Sequence, residues 1–277
     1  MVKMAMLIIM EVTLSKIDMI QFRRLIICIF LATCALLAEA QVTAIVATKD
    51  SGLSSQTWFT TGKNGEMREN DIKNNWNYDR YITAAGYTSN GWFIAMSKGV
   101  TWTNQSYKTS SSWPDSYVHE QKEKGYMITS LASSDSRWLI VTSQGTSITD
   151  QQICSAPWSS LKDWIKGWWD KDYYITSIAC QNSLWTVVMS KGSGVKYTNQ
   201  SYFGADSTSE LKNKIKEKWD EGYLITSLEY GNGSYLCVMS KYPGSTGGVQ
   251  SWIINTDFEK DLKQRTEEGY LITYIGG

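Results

Sequence analysis

The chain is short of the residues that most often do chemistry. Its one histidine, His119, falls in a stretch of helical spacing, so a Ser-His-Asp or Cys-His arrangement would have to be built around that side chain alone. There is no histidine pair and no Asp-x-Asp-x-Asp-Gly loop, and metal binding is left without ligands at a familiar spacing. Lysine plus arginine equals aspartate plus glutamate at 27 each. A net charge of zero gives no footprint for nucleic acid or for an anionic membrane surface. Of five cysteines, Cys28 and Cys34 lie near the N-terminus. The others, Cys154, Cys180 and Cys237, are irregularly spaced and fit neither a disulfide framework nor a zinc set; they read as small buried hydrophobes. No cofactor is expected.

The first 40 residues do not read as folded structure. Arg23 and Arg24 precede an apolar run from Leu25 to Leu37, and Ala38-Glu39-Ala40 is a small-x-small cleavage site before Gln41. This is the pattern of a secretory signal peptide. It is complete from Met19 onward, so a start at Met19 would give the same leader. A lipoprotein site at Leu31-Ala32-Thr33-Cys34 matches less well, because threonine precedes the cysteine. The apolar run is also shorter than the ~20 residues a membrane span needs. A single secreted or periplasmic domain over 41–277, with no membrane span, is expected.

Within that domain, thirteen tryptophans and sixteen tyrosines against three prolines point to aromatic packing between many short strands. Three runs and a helix recur in fixed order. The first run is β-type and carries Ile82-Thr83, Ile128-Thr129, Ile175-Thr176, Ile225-Thr226 and Ile272-Thr273, a period of about 47 residues. The second, exemplified by Trp92 to Lys98, is apolar at both parities and so belongs in the middle of a sheet. The third begins with glutamine, as in Gln105-Ser106-Tyr107. A helical stretch follows, clearest from Ser209 to Asp220. There Leu211, Ile215 and Trp219 share one face, Ser209 is the expected cap, and Gly222 is the expected stop. Ile72 with Trp76 and Ile165 with Trp169 repeat that face, whereas Val118 with Lys122 and Leu262 with Thr266 keep only its first member.

The segment from Val42 to Lys49 aligns with a second run but has no first run before it, and the C-terminus supplies a first run with nothing after it. The expected fold is therefore an α+β repeat: a closed propeller-like ring of five βββα units in which the C-terminal strand completes the first unit and removes an open sheet edge.

The runs from Trp219 to Ser227 and from Val238 to Lys241, with Tyr197-Thr198-Asn199-Gln200-Ser201-Tyr202, resemble the domain at the C-terminal end of plant casein-kinase-I-like protein kinases. The resemblance extends over nearly all of 41–277. It implies a non-catalytic accessory or interaction module, since this sequence has no glycine-rich phosphate loop, no His-Arg-Asp loop and no Asp-Phe-Gly.

A repeat turns each recurring position into a set of equivalent residues. Gln56, Gln105, Gln151, Gln200 and Gln250 form one such set. They are expected either to tie neighbouring units through backbone groups or to line a central channel as ligand contacts. Lys49, Lys98, Lys191 and Lys241 form another, with Gln144 in the remaining unit. They are expected either as solvated strand ends or as a cationic mouth that would draw a carboxylate or phosphate. Trp92, Trp138 and Trp185 are expected in the core, and the unrepeated Trp102, Trp113, Trp158 and Trp164 as exposed ligand contacts. The functional expectation is an exported, non-catalytic binding or scaffold module for a protein, a glycan or a small anionic ligand. The alternative is a hydrolase acting on a glycan or a modified amino acid.

Overall fold

The computed structural model describes residues 43–62, 64–243, 249–254 and 258–277. The chain divides into two units, Met1–Ala40 and Gln41–Gly277, and the described residues all belong to the second; the expected leader lies outside them. From the N-terminal side the elements are β1 (Ala44–Thr48), β2 (Ser54–Thr60), α1 (Glu69–Trp76), β3 (Tyr81–Thr88), β4 (Gly91–Lys98) and β5 (Asn104–Ser110). Next come α2 (Asp115–Glu123), β6 (Met127–Ser133), β7 (Trp138–Gln144), β8 (Asp150–Ala156), α3 (Trp158–Trp169), β9 (Tyr174–Gln181) and β10 (Leu184–Lys191). The chain continues through β11 (Asn199–Ala205), α4 (Thr208–Asp220), β12 (Leu224–Gly231), β13 (Ser234–Lys241), β14 (Gln250–Ile254), α5 (Glu259–Glu267) and β15 (Leu271–Gly276).

Local chemistry sets these boundaries. Asn182 and Ser183 both take positive φ, as do Asn232 and Gly233. These two-residue turns suit the right-handed twist of the hairpins β9–β10 and β12–β13. The cap of helix α4 lies two residues before the expected Ser209: it is Ser207, whose hydroxyl accepts the Glu210 N–H at 3.2 Å. The Glu210 carboxylate returns to the Asp206 N–H at 2.9 Å, a near-capping box that the sequence Ser207-Thr208-Ser209-Glu210 spells out. At the other end Gly222, with φ of +84°, ends the helix and donates to Trp219 O, as expected.

The strands form five antiparallel three-stranded sheets, ordered β14-β1-β15, β2-β4-β3, β5-β7-β6, β8-β10-β9 and β11-β13-β12. The second runs are the middle strands, as their two-sided apolar pattern required. The glutamine strand of each sequence unit does not pair with that unit's own middle strand. It pairs with the next one, so β5 joins β7 and not β4. Each sequence repeat therefore straddles two sheets, and β1 gains two strands from the far end of the chain. Val46 faces Trp252 of β14 on one side and Tyr274 of β15 on the other, with Ile272 beside Ala47.

The core follows from this layout. Each apolar cluster mixes side chains of two adjacent sheets and is covered by a helix. Ile72 of α1, Trp92 and Ile94, for example, pack with Leu139 and Val141 of the next sheet. Similarly, Ile45, Phe93, Ile253, Ile275 and Leu262 of α5 share one cluster. Every middle strand is thus buried on both faces, each full-sized apolar side chain contributing roughly 1.5–3 kcal/mol. The five Ile-Thr strands meet one another: β3 lies against β6, β6 against β9, β9 against β12, β12 against β15, and β15 against β3. Among the described residues no helix is long and apolar enough to cross a membrane.

Candidate functional site

The repeated polar residues form one bonding pattern used five times. Gln105 on β5 accepts the Ile82 N–H at 2.7 Å and donates to Ile82 O at 3.0 Å, closing both backbone groups of a residue in the neighbouring sheet. Its second N–H goes to Ser143 Oγ at 3.0 Å within its own sheet. Gln151 does the same to Ile128 and Ser190, and Gln200 to Ile175 and Ser240. Gln250 grips Ile225 with Thr48, and Gln56 grips Ile272 with Ser97. The donors and acceptor of each amide are thereby spent on protein.

Each serine in turn meets a threonine hydroxyl, as in Thr176 with Ser190 at 2.6 Å and Thr83 with Ser97 at 2.9 Å. These threonines sit where the register slips in all five Ile-Thr strands, between Ile82 and Ala84 for instance. The bulge turns the hydroxyl toward the middle strand, where an unbulged strand would leave it on the other face.

The lysines do local work as well. Lys191 donates to Lys171 O at 2.7 Å, just past the end of α3, and Gln144 makes the equivalent bond to Lys124 O at 2.8 Å. Both supply donors to carbonyls that a helix end leaves without partners. Lys49 stands 4.6 Å over the Tyr270 ring and Lys241 4.5 Å over the Tyr223 ring, each within its own sheet's helix-to-strand turn. Lys98 is half-buried at the end of β4. Nothing in these contacts gathers the four ammonium groups at one point.

Of the unrepeated tryptophans, Trp113 and Trp158 are core extensions and not exposed contacts. Trp113 stands edge-on to Trp138 at 5.3 Å, and Trp158 edge-on to Tyr202 at 5.0 Å. Trp164 leans on Trp168 at 6.3 Å. Trp102 lies 6.3 Å from Tyr81 at the start of an Ile-Thr strand. His119 is exposed on α2 and pairs with Glu123.

A cavity of about 310 Å³ opens between the sheets of β12 and β15. Its floor is framework: Thr226, Thr273, Thr48 and Gln250. Its rim comes from three loops and does not repeat: Asp50 and Ser51 after β1, Lys196 and Tyr197 before β11, and Tyr242 and Pro243 after β13. The Tyr197 and Tyr242 rings meet edge-on at 5.3 Å. Burial, reinforced by the neighbouring Tyr242, pushes the Tyr197 phenol well above its ordinary range. Burial raises Tyr242 too, so both stay neutral hydroxyls at physiological pH.

Comparison with known proteins places this architecture. The family described as Domain of unknown function (DUF7477) matches residues 28–156 and again 144–276, together most of the chain. The chain belongs to that family. It is also similar to the rice (Oryza sativa subsp. japonica) protein named Casein kinase 1-like protein HD16, at 30% identity over 102 residues. That match spans 36% of this chain and 14% of the rice protein, in keeping with the resemblance read from the β12 and β13 runs. Among the described residues no group of three or more histidine, cysteine, aspartate or glutamate side chains could hold a metal.

Two features of this DUF7477 chain escaped the repeat-based reading because they depart from the repeat. One is the loop rim: three residues before the five glutamines the sequence carries Leu53, Trp102, Ile148, Tyr197 and Gly247. The other is Glu229, four residues after Ile225, where the other Ile-Thr strands carry Gly86, Ala132, Ala179 and Gly276. Glu229 is 2% exposed. It accepts the Gly277 N–H at 2.8 Å, and the Tyr274 hydroxyl lies 3.5 Å away. Burial pushes its carboxyl up to about 8.

Proposed function

We propose that the five sheets close into a propeller-like ring of βββα units and that this ring serves as a non-catalytic, exported binding module. Five glutamine clamps that each run from one sheet to the next, with Gln56 returning to Ile272 of the closing strand, support the ring. The residues 1–40 pattern supports export. The observation that carries the binding reading is the cavity of about 310 Å³, in the range of small-ligand sites. Its non-repeating rim rests on a floor of repeat-position framework residues, an arrangement in which specificity can change without cost to the fold. Of the repeat-position residues expected as ligand contacts, Gln250 lines this cavity; the reading assigns the other glutamines and the four lysines to the framework. The rice protein's name speaks of a kinase, but the kinase motifs are missing here, and the reading takes only the accessory domain from that likeness.

The hydrolase alternative would need a reactive pair at an open mouth. Of the acids that break the repeat, Glu229 is sealed and already bonded to protein groups, and Asp50 stands on the cavity rim with no second acid among the lining residues. A thermal-shift screen over sugars, nucleotides and anions tests the binding reading. A ligand at 100 times its Kd adds about 2.7 kcal/mol, a rise of several degrees at this size, about 2–4 °C per kcal/mol. The expected result is a rise that falls by about half in Tyr197→Ala and is also reduced in Lys196→Ala. A rise that both variants retain in full would place binding elsewhere, and turnover of any compound would contradict the non-catalytic reading.

A further inference from the structure

We infer that the cavity between β12 and β15 seats one ring of an uncharged glycan, an inference that rests on the binding-module reading and narrows it to a ligand class. Size is the first argument. About 310 Å³ holds a pyranose with some water but not a peptide helix or a folded partner. Charge is the second. Lys196 and Asp50 are both exposed on the rim, and neither takes part in an ion pair among the described residues. A charged ligand would be attracted by one and repelled by the other. A polyol can use both, giving a hydroxyl hydrogen to the carboxylate and accepting one from the ammonium, and such charge-assisted bonds are roughly twice as strong as neutral ones.

The aromatic pair is the third argument. Tyr197 and Tyr242 stand edge-on at 5.3 Å, and Tyr197 is also edge-on to Tyr174 at 6.0 Å. The cavity wall is thus a perpendicular aromatic pair whose hydroxyls are linked to each other and, through Tyr197, to Thr226, and its apolar ring surface suits a molecule with one C–H face and a polar perimeter. The floor adds the hydroxyls of Thr226 and Thr273. Thr226 is already filled by Ser240, by Val238 O and by the Tyr197 hydroxyl, whereas Thr273, engaged by Thr48 and Val46 O, keeps a lone pair toward the cavity. A purely apolar ligand would strand these groups, and an anion would meet a single cation beside an acid.

The test is calorimetric titration of the full chain with methyl glycosides of glucose, galactose, mannose and N-acetylglucosamine and with cellobiose and chitobiose. Inorganic phosphate, glutamate and AMP form the comparison set. At least one glycoside is expected to bind, with affinity falling about tenfold in Tyr197→Ala, the loss of one good contact. Lys196→Ala, at an exposed and unpaired position, should also weaken binding while leaving the circular dichroism and melting temperature unchanged, which separates lost binding from lost fold. Phosphate, glutamate or AMP binding that depends on Lys196 would overturn the glycan assignment and leave the binding module standing. Glycoside binding indifferent to both substitutions would move the sugar elsewhere and overturn it too. No binding by any probe would count against both readings.

Discussion

At the scale of single residues, the glutamine clamp shows how a side chain can stand in for a strand. Where the glutamine strand of one sheet meets the Ile-Thr strand of its neighbour without sharing a hydrogen-bond ladder, the amide satisfies the N–H and C=O of one isoleucine and spares them burial without a partner. Replacing Gln105 by leucine should strand both Ile82 groups and cost about 2–4 kcal/mol in urea unfolding. The same change at Gln56, which is half-exposed, should cost less because water can take over. Glu229 makes a different prediction. Its folded carboxyl titrates near 8 against an ordinary 4.5, raised by burial, although the Gly277 N–H, the Tyr230 N–H and Tyr274 pull the other way. A raised acid binds its proton more tightly when folded, so its contribution to stability is complete below pH 4.5 and is lost as pH rises through 8. The groups facing it are Tyr274 of β15 and Cys180 of β9, whose thiol is itself pushed up to about 12 by burial and by Glu229; both are neutral across that window. Denaturant titrations from pH 5 to 8.5 should show declining stability in the native chain and a flatter profile in Glu229→Gln.

Between residues and the whole, the helices explain a pattern that was visible in the sequence without its reason. Trp76, Trp169 and Trp219 each point an indole N–H at the carbonyl oxygen of a clamp glutamine, at 3.1, 3.1 and 3.4 Å. In α2, which lacks the tryptophan, Lys122 reaches Gln151 O and Asp150 instead. In α5, Thr266 bonds back to Leu262 O of its own helix. Trp169→Phe keeps the ring and removes the donor, and should lower stability by about 1 kcal/mol. Ser207→Ala should cost about as much by removing the α4 cap, whereas Ser209→Ala should cost little; helix content and urea midpoints distinguish the two. The strand order along the chain, the middle strands and the spare C-terminal strand could all be read from the order of runs and their two-sided apolar pattern. Sheet membership could not, because a period of residues says nothing about whether Gln105 pairs backward with β4 or forward with β7. Ser207 and Ser209 both precede the apolar face, and only Ser207 has Glu210 at the capping-box spacing, which puts the cap two residues before the expected Ser209. Trp113 and Trp158 stand at unequal spacings from their glutamines because the loops before their helices differ in length, although both pack on the repeated tryptophan of the middle strand.

For the molecule as a whole, the decisive junction is the one that joins its ends. Strand β1 has apolar residues on both faces and no neighbour nearby in sequence. It becomes a middle strand only because β14 and β15 return from more than 200 residues away. The glycines mark how closely that return is fitted: a Cβ at Gly86 would collide with Ile275, and one at Gly276 with the Leu228 carbonyl. Closing such long-range contacts is entropically slow but leaves no unpaired edge at β1. Hydrogen–deuterium exchange read by mass spectrometry tests this junction most directly. The account predicts that amides of 44–48 and of 271–276 are protected together, to the level of global unfolding, and lose protection together in Gln56→Leu. Rapid, complete exchange across 271–276 while 44–48 stays protected would contradict it.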